Sequence, residues 1–217
     1  IGIELQVTLW GYNRTDPLAN VYFKKFTFIY KGTSTSQAGS KITDMYVGQW
    51  SDPDMGDYGD DFSGSDTTLS LGYVYNGGAV DVEYAKFGLK PPAVGYDFLQ
   101  GPIVTGVSTD SAVFGLKRVY GKKNLPMTAA FYFAAGGTYS DPPFSYEGTK
   151  QWYNLLRGLT PITGTPFVHP SFPTSPTKFW LDGDPVKGTG RLDGKVDNPS
   201  DRRLGVCSGP FTMTLGD

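Results

Sequence analysis

Six aspartates, Asp52, Asp54, Asp57, Asp60, Asp61 and Asp66, fall within the sixteen residues from Ser51 to Asp66, where even spreading of the chain's eighteen Asp would put about one. Carboxylates crowded into one turn repel each other and raise one another's pKa unless a cation sits among them. No His or Cys lies near this run. An all-oxygen donor set selects a hard ion, and Ca²⁺, which takes roughly 6 to 8 oxygens, is the ion expected here. Its candidate ligands are Asp52, Asp54, Asp57, Asp60 and Asp61, with Gly56, Gly59 and Gly64 letting the backbone curl so that they converge. The spacing is not that of an EF-hand: counted from Asp52, Gly56 falls one position early and Ser63 stands where a bidentate Glu belongs. The plain alternative is a solvated acidic loop in which Asp favours turns and solubility.

A second oxygen-rich stretch, Asp182-Gly183-Asp184-Pro185 followed by Asp193, Asp197 and Asp201, forms another site, completes the first, or is consumed in ion pairs with the interleaved Lys187, Arg191, Lys195, Arg202 and Arg203. Catalytic chemistry has little to work with, since the chain holds one His, one Cys and three Glu. His169 sits in Phe167-Val168-His169-Pro170, and no Ser lies in a G-x-S-x-G nucleophile elbow. A glycosidase needs two carboxylates, for which Asp97 is one candidate, although a strand-end hydrogen bonder is the simpler reading of that residue. Cys207, with Leu204 and Val206 just before it, reads as a buried strand thiol. The composition therefore points away from an enzyme.

The elements that must position the Asp run read as β-strands. Ile3, Leu5, Val7 and Leu9 alternate with Glu4, Gln6, Thr8 and Trp10, so a strand is expected over 3–13, paired as an antiparallel hairpin with a second over 21–30. A third, 42–50, runs into the acidic loop, and 67–76 leaves it. Further strands are expected at 80–85, 93–104, 126–134, 177–182 and 203–215, with one short helix over 149–159, where Trp152, Leu155, Leu156 and Leu159 recur at three-and-four spacing. Five prolines between 161 and 176 mark an extended loop. The fold class expected is all-β, an antiparallel β-sandwich of immunoglobulin or jelly-roll kind with long loops and one short helix. No composition shift divides the chain, so 1–217 reads as a single domain.

Twenty-nine Gly and sixteen Pro among 217 residues, with fifteen per cent aromatics, suit short strands joined by many turns rather than a disordered chain. No apolar run reaches the roughly 18 residues needed for a membrane span. From 42 to 85 there are eight Asp, one Glu and no Lys or Arg, so that stretch carries −9 and the remainder +7. A net charge of −2 argues against nucleic acid as the main partner. The four Trp and fourteen Tyr fill the core or, where exposed, stack on sugar rings.

Several stretches carry a family resemblance. Val47-Gly48-Gln49-Trp50-Ser51-Asp52-Pro53-Asp54-Met55-Gly56-Asp57, then Asp60-Asp61-Phe62 and Asp66-Thr67-Thr68-Leu69-Ser70-Leu71-Gly72-Tyr73, are joined by Pro91-Pro92-Ala93-Val94-Gly95-Tyr96-Asp97-Phe98, Lys123-Asn124-Leu125-Pro126-Met127-Thr128 and Cys207-Ser208-Gly209-Pro210-Phe211. Together they resemble large uncharacterised secreted and cell-surface proteins of the Bacteroidota and Ignavibacteria kind, which often end in a type IX secretion sorting domain. The resemblance implies export, a secreted or cell-surface setting and a longer parent chain; it carries no catalytic or binding residues. The function expected is an extracellular structural protein with a structural calcium, a homo-oligomer or self-assembling filament or surface-layer subunit. The alternative is a polysaccharide partner, as a carbohydrate-binding module or, behind that, a glycoside hydrolase.

Overall fold

The structure is a computed structural model and describes residues 2–217. Its fold is all-β, built from antiparallel sheets in a sandwich-like architecture, as the alternation and turn content imply. The chain forms two compact units, one from residues up to Met45 together with Thr212–Asp217, the other Tyr46–Phe211. Only the strands β3 (Lys41–Ser51) and β12 (Arg202–Thr214) contribute residues to both.

In the first unit, β1 (Ile3–Gly11) and β2 (Tyr22–Tyr30) make the expected antiparallel hairpin, in register from Ile3 opposite Tyr30 to Gly11 opposite Tyr22. The connection is closed by a 3₁₀ turn, Pro17–Asn20, whose cap Asp16 accepts the Leu18 N–H at 3.1 Å. Tyr30 is tied to the chain's last residues: it donates its N–H to the Asp217 carbonyl (2.8 Å) and accepts from the Gly216 N–H (2.9 Å). The two strands form a sheet of their own. Cross-strand partners share a face, so Leu5, Val7 and Leu9 lie on the same side as Phe28 and Phe26. That apolar side is exposed, with Leu5 and Val7 each 51% and Leu9 62% accessible.

The second unit stacks three layers. One sheet has the order β4 (Asp61–Asp66), β5 (Leu71–Asn76), β6 (Ala93–Asp97); the next has the order β11 (Ala129–Ala134), β12, β3; and α2 (Tyr146–Leu156) covers the far side of β11, while residues 178–181 bond to β11 and reach the Ser65 N–H of β4. Val74, Met127, Ala130, Leu204 and Val206 fill the space between the sheets. Phe131, Phe133, Leu155, Phe167, Trp180 and Cys207 form the core under the helix. All six residues of β11 are buried, because both of its faces are covered. Gly205 is required where it stands: opposite Phe131 across the ladder, a Cβ there would meet that ring at 2.2 Å. Two small antiparallel pairs complete the unit, β7 (Ile103–Thr105) with β10 (Lys122–Asn124) and β8 (Ser111–Phe114) with β9 (Lys117–Tyr120).

Several expected elements differ. Residues 61–66, read as the end of the acidic loop, form β4, since their partner strand β5 supplies a full ladder. Asp66 accepts the N–H groups of Thr68 and Leu69, which turns 67–70 and delays β5 to Leu71. Residues 80–85 are a helical turn, α1 (Val82–Ala85), because Asp81 caps it by accepting the Tyr84 N–H at 2.7 Å; the helices are therefore two rather than one. The expected strand at 93–104 is broken around Gly101 and Pro102, and 177–182 bridges β11 only at Phe179. The helix sits three residues earlier than its periodicity suggests, capped by Ser145, which accepts the Gly148 N–H at 3.0 Å.

Candidate metal centre

The five expected ligands separate into three roles, all within the second unit. Asp52 and Asp54, on the chain leaving β3, come together with Asp201, at the foot of β12; one oxygen of each lies within 4.8 Å of the others. Among the described residues this is the one trio of acidic, His or Cys ligand atoms so gathered. It already contains a cation. The Arg203 guanidinium donates to Asp52 Oδ2 (2.9 Å), Asp201 Oδ2 (2.9 Å) and Asp141 Oδ2 (3.0 Å). Burial raises the Asp201 pKa while Arg203 pulls it down and Asp52 and Asp54 push it up.

Asp57 is a backbone cap. It accepts the Gly59 N–H at 3.0 Å and so starts the 3₁₀ turn Tyr58–Asp60 that leads into β4. Asp60 and Asp61 face a different environment. Asp61 is fully buried, and its Oδ2 accepts one bond, from the Met55 N–H at 3.2 Å. Burial raises its pKa to about 7; the Met55 N–H opposes this, and the carboxylates of Asp60, Asp81 and Asp54 add to it. The Asp60 pKa is raised too, first by burial and then by Asp57 and Asp81, against the hydrogen bond from Asn76.

Two residues that sequence reasoning passed over complete this second centre. Asn76 stands directly opposite Asp61 across the β4–β5 ladder, and its Nδ2 donates to Asp60 Oδ2 (3.3 Å) and to the carbonyls of Gly78 (3.1 Å) and Val80 (3.3 Å). Asp81 is 1% exposed and clasps the two loops together, accepting the N–H of Asp57 (2.8 Å) and of Tyr84 (2.7 Å). Those amides hold its pKa below the usual carboxylate range. Gly56 has to be glycine here: its φ is +61°, and a Cβ would lie 2.2 Å from the Asp81 carboxylate. The signal for Asn76 was the strand register, which becomes readable only once 61–66 is recognised as a strand.

The same unit contains a buried carboxylate of the opposite kind. Asp193 and Arg202 are both wholly buried side chains joined by two bonds, Nε to Oδ2 (2.9 Å) and Nη2 to Oδ1 (3.1 Å). Asp193 also accepts the N–H groups of Ser63 (2.7 Å) and Gly194 (2.6 Å), while Arg202 donates to the Ser200 hydroxyl and the Asn198 carbonyl and lies between the rings of Phe62 and Tyr132. The rest of the second oxygen-rich stretch is also spent internally, Asp182 on Arg191 and Asp184 on Lys187.

The candidate catalytic groups are structural in their contacts. His169 is fully buried; its Nδ1 accepts the Ser171 N–H (3.2 Å), which leaves Nε2–H to donate to the Leu192 carbonyl (2.9 Å). Cys207 lies in the core, where burial pushes its thiol pKa up and away from the reactive thiolate. Asp97 is an exposed residue at the end of β6. Of the tryptophans, Trp180 is fully buried, whereas Trp10 and Trp50 are 39% and 41% exposed. Comparison with protein-family models, with curated proteins and with solved structures gives no match.

Proposed function

We propose that this chain is an extracellular or cell-surface structural protein that assembles with copies of itself, with a calcium ion held by its Asp-rich region. The observation that carries this reading is the β1–β2 ribbon. An isolated two-stranded ribbon is marginal in water, and this one leaves Leu5, Val7, Leu9 and Phe26 accessible on one side. Covering that side and pairing its free edges with a second copy would bury the apolar stripe and satisfy the exposed backbone, which is the arrangement of a filament or surface layer. The segregated charge, −9 over 42–85 against +7 elsewhere, supplies complementary surfaces for such contacts. Export, which the family resemblance implies, would put calcium at hand in the surrounding medium.

Sedimentation velocity of the wild type and of Val7→Asp tests the reading. Wild-type protein is expected to associate with rising concentration and Val7→Asp to stay monomeric. A wild type that remains a strict monomer at high concentration, with and without calcium, would sink it.

A second reading is favoured by one cluster. On the other side of the ribbon Trp10 stacks on Phe23, centroids 5.2 Å apart and planes 13° from parallel, with Tyr12 edge-on at 5.9 Å. Half-exposed aromatic faces of this kind bind sugar rings, so polysaccharide is the competing partner. A glycan array in which Trp10→Ala abolishes binding would favour it over self-assembly.

A further inference from the structure

Among the described residues, five buried side-chain polar atoms have no hydrogen-bond partner; two of them are Arg191 Nε and, in the Arg203-bound group, Asp201 Oδ1, and the other three are Asp60 Oδ1, Asp61 Oδ1 and Asn76 Oδ1. All three are acceptors. They sit where the loop entering β4 meets the loop leaving β5, in a stretch of chain without Lys or Arg, and no ion pair among the described residues involves Asp60 or Asp61. Leaving one buried acceptor unserved is costly, and native proteins do so seldom. Three at one place call for a common partner.

The orientation of Asn76 makes the point sharper. An amide can be turned over when its surroundings are ambiguous. Here they are not: Nδ2 faces three acceptors, Asp60 Oδ2, Gly78 O and Val80 O, so the reverse orientation would set an oxygen against three oxygens. The carbonyl of Asn76 is thereby fixed with no donor of the protein before it, although the side chain is 91% buried by its 9% exposure. Asp61, wholly buried, likewise spends Oδ2 on Met55 and keeps Oδ1. Asp81 is no competitor for the role, since both of its oxygens are engaged by Asp57 and Tyr84.

We propose that Asp60, Asp61 and Asn76 form a binding site for a hard divalent cation, calcium, through the three side-chain oxygens that the protein leaves without a partner. Two carboxylates and an amide carbonyl are oxygen donors of the kind this ion takes, with water filling the remaining positions. The group of Asp52, Asp54 and Asp201 leaves one such oxygen, Asp201 Oδ1, against three here, and the Arg203 guanidinium on Asp52 and Asp201 already supplies positive charge, so the ion is assigned to Asp60, Asp61 and Asn76. This deepens the calcium part of the function proposed above and is independent of the assembly part: sedimentation can fail while the ion response stands, and the reverse.

The test is thermal unfolding of the full chain in EDTA and in millimolar Ca²⁺, for wild type, Asp61→Asn, Asn76→Asp and Asp52→Asn. Calcium at about a hundred times its Kd is expected to raise the wild-type midpoint by roughly 5–10 °C. Asp61→Asn keeps the shape, unfolds at a higher temperature than wild type in EDTA, and loses the calcium response. Asn76→Asp sets an oxygen against Asp60 Oδ2 and the Gly78 and Val80 carbonyls, so it unfolds at a lower temperature than wild type in EDTA, and calcium, which neutralises the added charge, raises its midpoint by more than it raises that of wild type. Asp52→Asn responds as wild type does. A wild-type midpoint indifferent to calcium would overturn the proposal, leaving the three oxygens to protons or water. So would a response kept in Asp61→Asn and lost in Asp52→Asn, which would put the ion at the other group.

Discussion

Asp193 and Asp61 are both carboxylates taken wholly out of water, yet one is saturated and the other is not. Asp193 has the Arg202 guanidinium on both oxygens and two backbone N–H groups besides. Asp61 has a single N–H, from Met55, and other carboxylates for neighbours. Removing a charge from water costs several kcal/mol, and the cost is met only by close opposite charge and complete hydrogen bonding. At Asp193 the chain brings its own cation. At Asp61 it brings three oxygens and none, and a cation from outside is what would make the two sites equivalent. Arg203, set over Asp52, Asp141 and Asp201, gives that group a cation of the chain's own as at Asp193, although Asp201 Oδ1 keeps no hydrogen-bond partner.

Substitutions can break the contrast from either side. The largest effect is expected from Arg202→Ala, which strands Asp193 in the core: chemical denaturation should show a loss of about 3–5 kcal/mol, since breaking a buried pair leaves an uncompensated charge. Replacing both partners with apolar residues should recover most of that loss. Next comes pH. Asp61 holds its proton up to about 7 when folded, against roughly 3.9 when unfolded. The folded state therefore binds more protons between those values, and in EDTA stability falls as pH rises from about 4 to about 7, then levels. The contribution of this one group is on the order of 2–4 kcal/mol, readable as the difference between wild type and Asp61→Asn unfolded across that range. Saturating calcium should flatten the wild-type curve.

A smaller effect sharpens the comparison. Arg203 is part-exposed, so Arg203→Gln should cost only about 1 kcal/mol. It should also confer a second calcium response on the Asp52, Asp54 and Asp201 group, which calorimetry would detect as an increase in bound ions per chain. The smallest change in stability, within about 0.5 kcal/mol, is expected from Val7→Asp on the exposed ribbon, where the effect falls on association instead.

Much of this architecture is written in local patterns. Alternation over Ile3 to Leu9 specifies β1 and its apolar side, and the three-and-four spacing of Trp152, Leu155 and Leu156 specifies α2, because each pattern depends only on one face being buried. The composition of the Asp run raises the expectation of a cation. What it does not announce is the partition of its members, which depends on contacts between distant parts of the chain. Asp52 meets Arg203 across 151 residues, Asp57 becomes a cap through the turn it starts, and Asn76 reaches Asp61 only through the β4–β5 register. The strand β4 was hidden for the same reason: its Asp-Phe-Ser-Gly-Ser-Asp sequence has turn character, and it is held extended by β5 on one side and by bonds such as Ser65 N–H to the Leu181 carbonyl. Asp81 was hidden inside a segment whose apolar residues read as a strand.

Diffraction can locate the ion directly. Crystals of the full chain grown with calcium and exchanged with a lanthanide are expected to give an anomalous map with a peak bonded to Asp60, Asp61 and Asn76 and none beside Arg203. A peak among Asp52, Asp54 and Asp201, or no bound ion at either centre, would contradict this assignment.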